Sequence, residues 1–321
     1  MKILVTGAAG SLGRKLVEKL VNDGGMSIYA TDIKKSPFEN LDSVRNVSNL
    51  TYRKFDLTKP EFIDWFNEIK PDKVVHLASI LQLSAMVTRE IAYQIDVVAT
   101  KKLLEASVAL GVKKFIITTS GAAYGYYSEN INEITEEQAT RGNKDYFYSA
   151  HKAEVEKIMA DYRLNHPELA QIVFRPGTIL GPDFEGPIVN FFEQKILTGV
   201  WRYPGPFNFI WSDDVVDYLI EGLNSQITGQ YNIAGDGTLT IKEIATILNK
   251  TYLPLPGLLI QATLAIAKPL GLTEYGPEQV KFIKYRPVLA NKKIKSMFTH
   301  QPKYNSLQAL TAFLDYQLES K

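Results

Sequence analysis

The sequence predicts an α/β protein with a doubly wound parallel sheet and a smaller C-terminal α/β lobe. Three observations predict this class. Short β-branched runs alternate with helical patterns over residues 1–176, a glycine-rich turn follows the first run, and prolines and glycines interrupt residues 177–321. The strand-like runs are residues 3–5, 27–30, 74–77, 114–118 and 171–174.

Apolar spacing and capping residues predict the remaining elements. A long helix is expected over residues 91–110, packed on the sheet. In the C-terminal half we predict helices at 213–223 and 240–248 and a strand at 230–233. Thr240 with Glu243 three residues later has the pattern of a capping box, which marks a helix start.

The composition is that of a folded globular protein. Hydrophobic residues make up 45% and charged residues 22% of the 321 residues, and the formal net charge is +1. With no cysteine, disulfides, thiolate chemistry and cysteine metal sites are excluded, and we predict no metal site. Acidic and basic residues are well mixed, so we expect no nucleic-acid partner. The basic run at Lys292, Lys293 and Lys295 is typical of a solvated helix face.

The chain shows neither an export signal nor a membrane span in its sequence. Residues 1–5 lead straight into the glycine turn without the apolar core of a signal peptide, so we expect a cytoplasmic protein. The apolar residues 257–267, followed by Lys268, fall short of the ~20 residues that cross a bilayer. They predict a buried or surface helix.

The first turn has the spacing of a dinucleotide-binding motif. Gly7, Gly10 and Gly13 lie between the first strand and an amphipathic helix, where the missing side chains let backbone N–H groups approach a pyrophosphate. The alternative is a flexible β–α turn. The motif predicts a Rossmann-type domain over residues 1–176 and a lobe mainly for substrate over 177–321, with the chain crossing between them.

Acidic residues after the next strands indicate which dinucleotide binds. Asp32 follows Gly13 by 19 residues, close to the ~20 expected of a carboxylate that receives a ribose 2′-hydroxyl. NAD is therefore favoured, although Lys34 and Lys35 leave NADP open, and Asp32 could simply be a turn residue. Asp56 has a similar position at a strand end and meets the adenine or caps a helix.

The candidate catalytic pair is Tyr148 and Lys152, which a four-residue step places on one helix face. An ammonium beside a phenol stabilises the phenolate, so the pair can move a proton near neutral pH. Ser120 follows the strand at 114–118, and ligands in such sheets bind beyond the carboxyl ends of strands. It either holds the reacting oxygen of a substrate or caps the strand-end turn.

Taken in order, the motifs resemble those of the extended short-chain dehydrogenase/reductases, which include NAD-dependent sugar epimerases and dehydratases. The resemblance rests on the glycine turn, His76-Leu77-Ala78, Ser120 before Tyr124-Gly125, Tyr148 with Lys152, Arg175-Pro176 with Gly181-Pro182, and Phe209 to Asp213. We expect His76 to pack at the strand end rather than to do chemistry. Relatives commonly dimerise through the helices that contain Ile95 and Tyr148, so we predict a homodimer.

The resemblance and the motifs together give a set of predicted site residues. The predicted catalytic residues are Ser120, Tyr148 and Lys152. The predicted NAD contacts are Gly7, Ala9, Gly10, Ser11, Leu12, Gly13, Asp32, Asp56, Leu57, Leu77, Ala78, Ser79, Tyr148 and Lys152. The predicted contacts to a small-molecule substrate are Ser120, Gly121, Ala122, Thr178, Trp211 and Arg286.

Departures from the family pattern bear on the reaction. Dehydratases carry Asp-Glu where this chain has Gly121-Ala122, which disfavours dehydration. Epimerases usually have Asn at Thr178 and Arg at Phe207 to grip a nucleotide diphosphate. Arg286 resembles the family's later diphosphate-binding arginine, or forms a surface salt bridge. Asp96 stands where the family has an asparagine that bends a helix or relays protons.

Three functions remain open from the sequence. The leading hypothesis is hydride transfer at a secondary alcohol or ketone carbon, including epimerisation of a sugar or nucleotide sugar. The second is a dehydrogenase or reductase of a non-nucleotide alcohol such as a 3β-hydroxysteroid. The aromatic residues Trp201, Tyr203, Phe207, Phe209 and Trp211 favour such an apolar pocket, although a protein core would use the same residues. The third is a nonenzymatic NAD sensor.

Overall fold

A computed structural model describes residues 1–38, 48–84, 86–130, 133–182, 184, 186–273 and 275–319. The strands are β1 Lys2–Thr6, β2 Ser27–Asp32, β3 Leu50–Lys54, β4 Lys73–His76, β5 Lys114–Thr118, β6 Glu133–Ile134, β7 Ala170–Pro176, β8 Thr178–Leu180, β9 Ile196–Val200, β10 Phe209–Trp211, β11 Gly229–Ile233, β12 Thr251–Leu255 and β13 Val288–Leu289. The helices are α1 Ser11–Asp23, α2 Pro60–Ile69, α3 Arg89–Tyr93, α4 Ala99–Ala109, α5 Phe147–Asn165, α6 Pro187–Glu193, α7 Ser212–Asn224, α8 Ile241–Ile247, α9 Gly257–Ala267, α10 Gln279–Lys284, α11 Lys292–Met297 and α12 Ser306–Glu319.

The centre of the protein is a parallel sheet of the order β11-β7-β5-β4-β1-β2-β3. All five strand-like runs predicted from the sequence lie in it. Strand β11, predicted at residues 230–233, pairs in parallel with β7, so the chain returns to the sheet after its C-terminal lobe has begun. The strand order reverses between β1 and β4, which creates the crevice where such sheets bind ligands. The predicted fold class is confirmed.

Helices cover both faces of the sheet, as its apolar strands require. On one face α1 and α7 pack with Leu16 and Leu219 buried in a common core. On the other face α2, α4 and α5 bury Phe66, Leu103 and Met159. Because helices bury both faces of the sheet, the strands are apolar along almost their whole length and do not alternate between apolar and polar residues.

The long helix predicted over residues 91–110 is interrupted. Thr88 caps α3 by accepting a hydrogen bond from the Ile91 backbone N–H. A π-helical turn, Gln94–Val98, then joins α3 to α4 and carries the buried Asp96. Such turns are frequent at functional sites because they re-aim side chains.

The C-terminal lobe has its own core and its own small sheets. Strand β8 pairs with β10 and β9 with β12, while β13 pairs with β6 from the N-terminal half of the chain, all in parallel. The capping box predicted at Thr240 is present, because its hydroxyl accepts from the Glu243 N–H and the Glu243 carboxylate accepts from the Thr240 N–H. Phe192, Phe209 and Trp211 are buried in the core of this lobe. No helix of the described residues is long and apolar enough to cross a membrane.

Candidate active site

The glycine turn packs directly against the loop that follows β4. Gly7 has φ +70°, and a Cβ there would lie 2.6 Å from the Ala78 backbone nitrogen. A Cβ on Gly13 would lie 2.1 Å from the Gly7 carbonyl oxygen. Any side chain at Gly7 or Gly13 would therefore push the turn apart. Gly10 precedes α1 without a side-chain cap, so the positive end of the helix dipole faces outward. Ala9 lies in the same turn, and Ser11 and Leu12 are the first two residues of α1.

Asp32 ends β2 beside this turn. One carboxylate oxygen accepts a hydrogen bond from the Ala9 N–H at 3.1 Å, and the other accepts from the Lys34 N–H at 3.0 Å. The carboxylate thus joins the glycine turn to the end of the neighbouring strand. Asp32 therefore stabilises the end of its own strand and also lies beside the glycine turn. Its role as a strand-end residue is compatible with the predicted contact to a ribose.

Asp56 lies at the same edge of the sheet, after β3. Its Oδ1 accepts from the Thr58 N–H at 2.9 Å and from the Thr58 hydroxyl at 2.7 Å. The N-cap of α2 is Lys59, so the helix-cap interpretation of Asp56 was wrong. Leu57 is buried in the core under α2.

His76 bridges three elements as a neutral ring. Its Nδ1 lies 2.7 Å from the Thr6 hydroxyl and its Nε2 lies 2.8 Å from the Thr100 hydroxyl. Thr100 donates its only hydroxyl proton to the Asp96 carbonyl, so Nε2 carries the ring proton and Nδ1 accepts from Thr6. Burial, with a smaller contribution from Lys152, lowers the pKa of His76 to about 3.

The loop after His76 connects the glycine turn to the π-helical turn that carries Asp96. Leu77 donates its N–H to the Thr6 carbonyl, and Ala78 contacts Gly7. The Ser79 hydroxyl donates to Asp96 Oδ1 at 3.0 Å, and the Ile80 N–H donates to the same oxygen at 2.9 Å. Asp96 therefore holds the start of this loop in place.

Tyr148 and Lys152 lie one turn apart on α5, as predicted. The Lys152 ammonium is 5.6 Å from the centre of the Tyr148 ring and donates to the Thr118 carbonyl at 3.4 Å. Burial lowers the pKa of Lys152, while Asp96 and Glu156 raise it. A lysine that loses part of its preference for the charged form can return its proton more readily.

Ser120 contacts Tyr148 and changes its acidity. Burial raises the pKa of Tyr148, and the hydrogen bond from Ser120 lowers it. The Ser120 oxygen also accepts from the Ala122 N–H at 3.1 Å, which fixes the hydroxyl at the end of β5. The phenol is thus held protonated in the isolated protein, beside a hydroxyl group that can donate to a substrate oxygen.

A small polar cavity of about 40 Å³ lies next to Ser120. Its lining residues are Ser120, Gly121, Ala122, Tyr126, Pro176, Gly177, Thr178, Asn208, Arg286, Pro287 and Leu289. The structure brings five of the six predicted substrate residues to this cavity. Trp211 is elsewhere, with its ring 5.5 Å from that of Tyr304 in the core of the C-terminal lobe.

Arg286 reaches this cavity as a half-buried cation. It donates to the Thr178 hydroxyl at 3.0 Å and stacks 4.0 Å from the centre of the Phe207 ring. Burial lowers its pKa, and Tyr126 and Tyr146 raise it. No carboxylate pairs with Arg286 in the part of the chain that the structure describes, so the predicted alternative of a surface salt bridge is not seen there.

Sequence reasoning missed several residues around this site. Asn208 is buried, its amide N–H donates to the Leu289 carbonyl at 2.9 Å, and its amide oxygen lies against Gly177. Asn208 directly follows Phe207, which stands where epimerases of the family usually have an arginine. A polar residue next to that position was the sequence feature that could have indicated Asn208. Leu289 and Pro287 arrive from more than 100 residues beyond Ser120, which no local pattern predicts.

A larger cavity of about 250 Å³ opens at the start of α5. It is lined by Leu81, Gln82, Leu83, Arg89, Asp145, Tyr146, Phe147, Pro187, Lys268, Tyr275, Glu278 and Gln279. The Tyr146 ring lies 6.1 Å from that of Tyr148. The C-terminal lobe and the sheet domain therefore share a cleft beside the candidate catalytic helix.

Sequence comparison identifies relatives of known family. The profile of the NAD dependent epimerase/dehydratase family matches residues 3–234. A UDP-glucose 4-epimerase of Mycolicibacterium smegmatis is 29% identical over 252 residues, which cover 75% of this chain and 79% of that protein. An uncharacterised protein of Mycobacterium bovis is 19% identical over 98% of this chain and 82% of its own length.

Solved structures give the same architecture. A UDP-glucose 4-epimerase of Thermotoga maritima, solved with UDP-glucose, superposes with a TM-score of 0.76 at 21% identity, over 100% of this chain and 99% of that one. The Thermus thermophilus enzyme, solved with NAD, gives 0.75 at 22% identity over 100% of both chains. At these identities the structural likeness establishes the fold. With the profile match across most of the chain, it follows that this protein belongs to the NAD-dependent epimerase/dehydratase family.

Proposed function

We propose that the protein is an NAD-dependent epimerase of a nucleotide-linked sugar, with Tyr148 as its acid and base. The observation that carries the proposal is the joint position of Tyr148, Ser120 and Arg286. Ser120, which lowers the pKa of the Tyr148 phenol, lines a cavity that also contains the Arg286 guanidinium, which has no carboxylate partner among the described residues. A proton-transfer group and an anion-binding group are thus close together.

The glycine turn fits a dinucleotide. The space that a Cβ would fill at Gly7 and Gly13 is already occupied by backbone, and the uncapped start of α1 favours a pyrophosphate at this place. The Asp32 carboxylate suits a ribose 2′-hydroxyl and repels a 2′-phosphate, which supports NAD over NADP. NAD bound here would take up a hydride from the substrate carbon and return it.

The protein's own residues handle the proton. Ser120 would orient the reacting oxygen of the substrate, and Tyr148, deprotonated beside the positive charges of Lys152 and of bound NAD, would accept the hydroxyl proton of the substrate and later give it back. The Lys152 ammonium, held by the Thr118 carbonyl, would stabilise the phenolate before it accepts this proton and after it has returned it. Gly121 and Ala122 supply no carboxyl group at the cavity, where the dehydratases of the family carry Asp-Glu, and this disfavours expulsion of water from the substrate.

Arg286 supports a phosphate-bearing substrate. A half-buried guanidinium needs compensation, and a planar donor suits phosphate oxygens. Thr178 and Asn208 add a hydroxyl and an amide at the same cavity. The second candidate is a dehydrogenase of a non-nucleotide alcohol, favoured by Thr178 and Phe207 in place of the family's phosphate-binding residues.

The test combines cofactor content with turnover. Mass spectrometry of the denatured protein should find NAD, and incubation with UDP-glucose or UDP-galactose should interconvert the two without net formation of reduced nicotinamide. Retained NAD with accumulation of reduced nicotinamide on a non-nucleotide alcohol would favour the dehydrogenase. Bound NAD with Tyr148→Phe identical to the wild type on every substrate would favour a sensor.

We also propose a cytoplasmic homodimer that pairs through α5 and the helical segment from Arg89 to Ala109. Exposed apolar side chains support this contact, with Ile91 on α3 and Leu164 on α5. A chain without cysteine has no need of an oxidising compartment. Light scattering of the purified protein should give twice the monomer mass of 36.1 kDa, and a mass of one chain would refute the dimer.

A further inference from the structure

Helix α9 presents an apolar face to solvent. No residue of this helix, which is described along its whole length, is buried. Leu258 is 81% exposed, Leu259 52% and Ile266 64%. A helix that is apolar and uncovered exposes side chains that water disfavours, so some other surface is expected to cover it.

The exposed apolar residues of α9 have the spacing that normally places apolar residues against a protein core. Leu258, Leu259, Ala262, Ala265 and Ile266 recur at the helical intervals that normally face a core, and all five are exposed. We call these five residues the outer stripe. Thr263, a polar residue beside them, uses its hydroxyl to donate to the Leu259 carbonyl within the helix.

Apolar exposure continues on both sides of the outer stripe. Leu270 and Leu272 follow the helix and are 65% and 76% exposed. Trp201 is 58% exposed, and its backbone N–H donates to the Leu255 carbonyl just before α9 begins. An exposed tryptophan beside an apolar helix is typical of the region where a membrane meets water.

Basic side chains border the same surface. Between Glu243 and Glu274 the sequence contains no carboxylate residue and two lysines, Lys250 and Lys268. Arg202 stacks on the Trp201 ring at 5.0 Å, and the Lys284 ammonium lies against Gly257 at the start of the helix. Lys268 pairs with the Glu278 carboxylate at 3.4 Å, whereas Arg202 and Lys284 have no carboxylate partner in the part of the chain that the structure describes, so these two residues give the border its positive charge.

We propose that the outer stripe docks the protein on a lipid surface with anionic headgroups. The helix would lie flat, with its leucines and isoleucine among the acyl chains and the surrounding cations at headgroup level. Charge selects this occupant over a second copy of the chain. Pairing two such surfaces would bring the same cationic border against itself, whereas anionic headgroups complement it.

Vesicle flotation with the full chain tests the proposal. The probes are vesicles of phosphatidylcholine alone and of phosphatidylcholine mixed with phosphatidylglycerol. The test variant replaces Leu259 and Ile266 by serine. The matched control replaces Leu307 and Leu318 of α12, which are 49% and 65% exposed, by serine. Both variants alter only exposed side chains, so unchanged thermal unfolding is required before their flotation is compared.

The wild type and the control should float with the anionic vesicles and much less with phosphatidylcholine alone. Added salt should weaken the binding, because it screens the contribution of the cations. The affinity of the test variant for the anionic vesicles should be lower than that of the wild type by a factor of about ten or more, because the variant lacks two inserted apolar side chains. Equal loss in the control, or no flotation of the wild type, would overturn the proposal. The proposal would also fail if the wild type and the control were dimers and the test variant a monomer, because a second copy of the chain would then cover the outer stripe.

Discussion

The Nδ1 of His151 lies 3.0 Å from the Oδ2 of Asp96, and both side chains are buried. The pair links the π-helical turn to α5, one residue before Lys152. The other carboxylate oxygen of Asp96 holds Ser79 and the Ile80 N–H. One carboxylate therefore connects the loop beside the glycine turn with the helix that carries Tyr148.

Asp96→Asn should change the pH profile of turnover. Asp96 raises the pKa of Lys152, so removing its charge lets that pKa fall further. The ammonium that stabilises the phenolate would then be lost at lower pH, and the alkaline limb of kcat should move down by about one pH unit. An unmoved limb would show that Asp96 acts only as a structural link. Asp161→Asn, on the exposed face of α5, is the matched control and should leave the limb in place.

Asp32→Ala should weaken NAD more than NADP. The carboxylate favours a ribose 2′-hydroxyl and repels a 2′-phosphate, and its loss should cost about tenfold or more in NAD affinity. Because Asp32 also accepts from the Ala9 N–H, Asp32→Asn separates the two roles: it keeps an acceptor but no charge. Titration of both cofactors measures the ratio. Equal losses for NAD and NADP would mean that Asp32 does not meet the ribose.

His76 should make the protein less stable in acid. Its pKa is about 3 in the folded protein and near its ordinary value of 6.5 when unfolded, so only the unfolded chain takes up a proton between these values. The stability is fully present above about pH 6.5 and falls as the pH drops toward 3. Between about pH 7 and about pH 5, protonation of His76 in the unfolded chain should lower the free energy of unfolding by about 2 kcal/mol. Urea unfolding of His76→Asn should show a correspondingly flatter dependence; an unchanged slope would contradict the neutral bridge.

Arg286→Leu should raise KM for a nucleotide sugar with little effect on kcat. Arg286 contacts Thr178 and the cavity rather than Tyr148, so its loss should weaken substrate binding and raise KM by about tenfold or more. Arg286→Lys keeps the charge but not the planar donor and should recover only part of the loss. A matching fall in kcat with KM unchanged would argue that Arg286 does not bind the substrate.

Local patterns predicted the parts of the fold that local chemistry decides. The glycine turn, the capping box at Thr240 and the step from Tyr148 to Lys152 depend on residues within a few positions of each other, and the structure has all three. The position of β11 beside β7 depends instead on contacts between distant segments. So does the pair of Asp96 and His151, which are 55 residues apart.

The same distinction explains the candidate site. Thr178 and Arg286 could be named from motifs, but their hydrogen bond joins residues 108 positions apart. Trp211 was grouped with an apolar pocket because of its neighbours in sequence. In the structure its strand instead turns the ring into the lobe core against Tyr304, since a large apolar side chain is stabilised wherever it is best buried. Apolar composition alone cannot tell a pocket from a core.

The turnover of Tyr148→Phe, measured beside its NAD content, tests the central claim most directly. The substitution removes only the phenolic oxygen, so the protein should fold and keep its NAD. Turnover should fall by about 10²–10⁴-fold, the usual contribution of a positioned acid and base. Full activity with NAD bound would contradict the assignment of Tyr148 as the group that moves the proton.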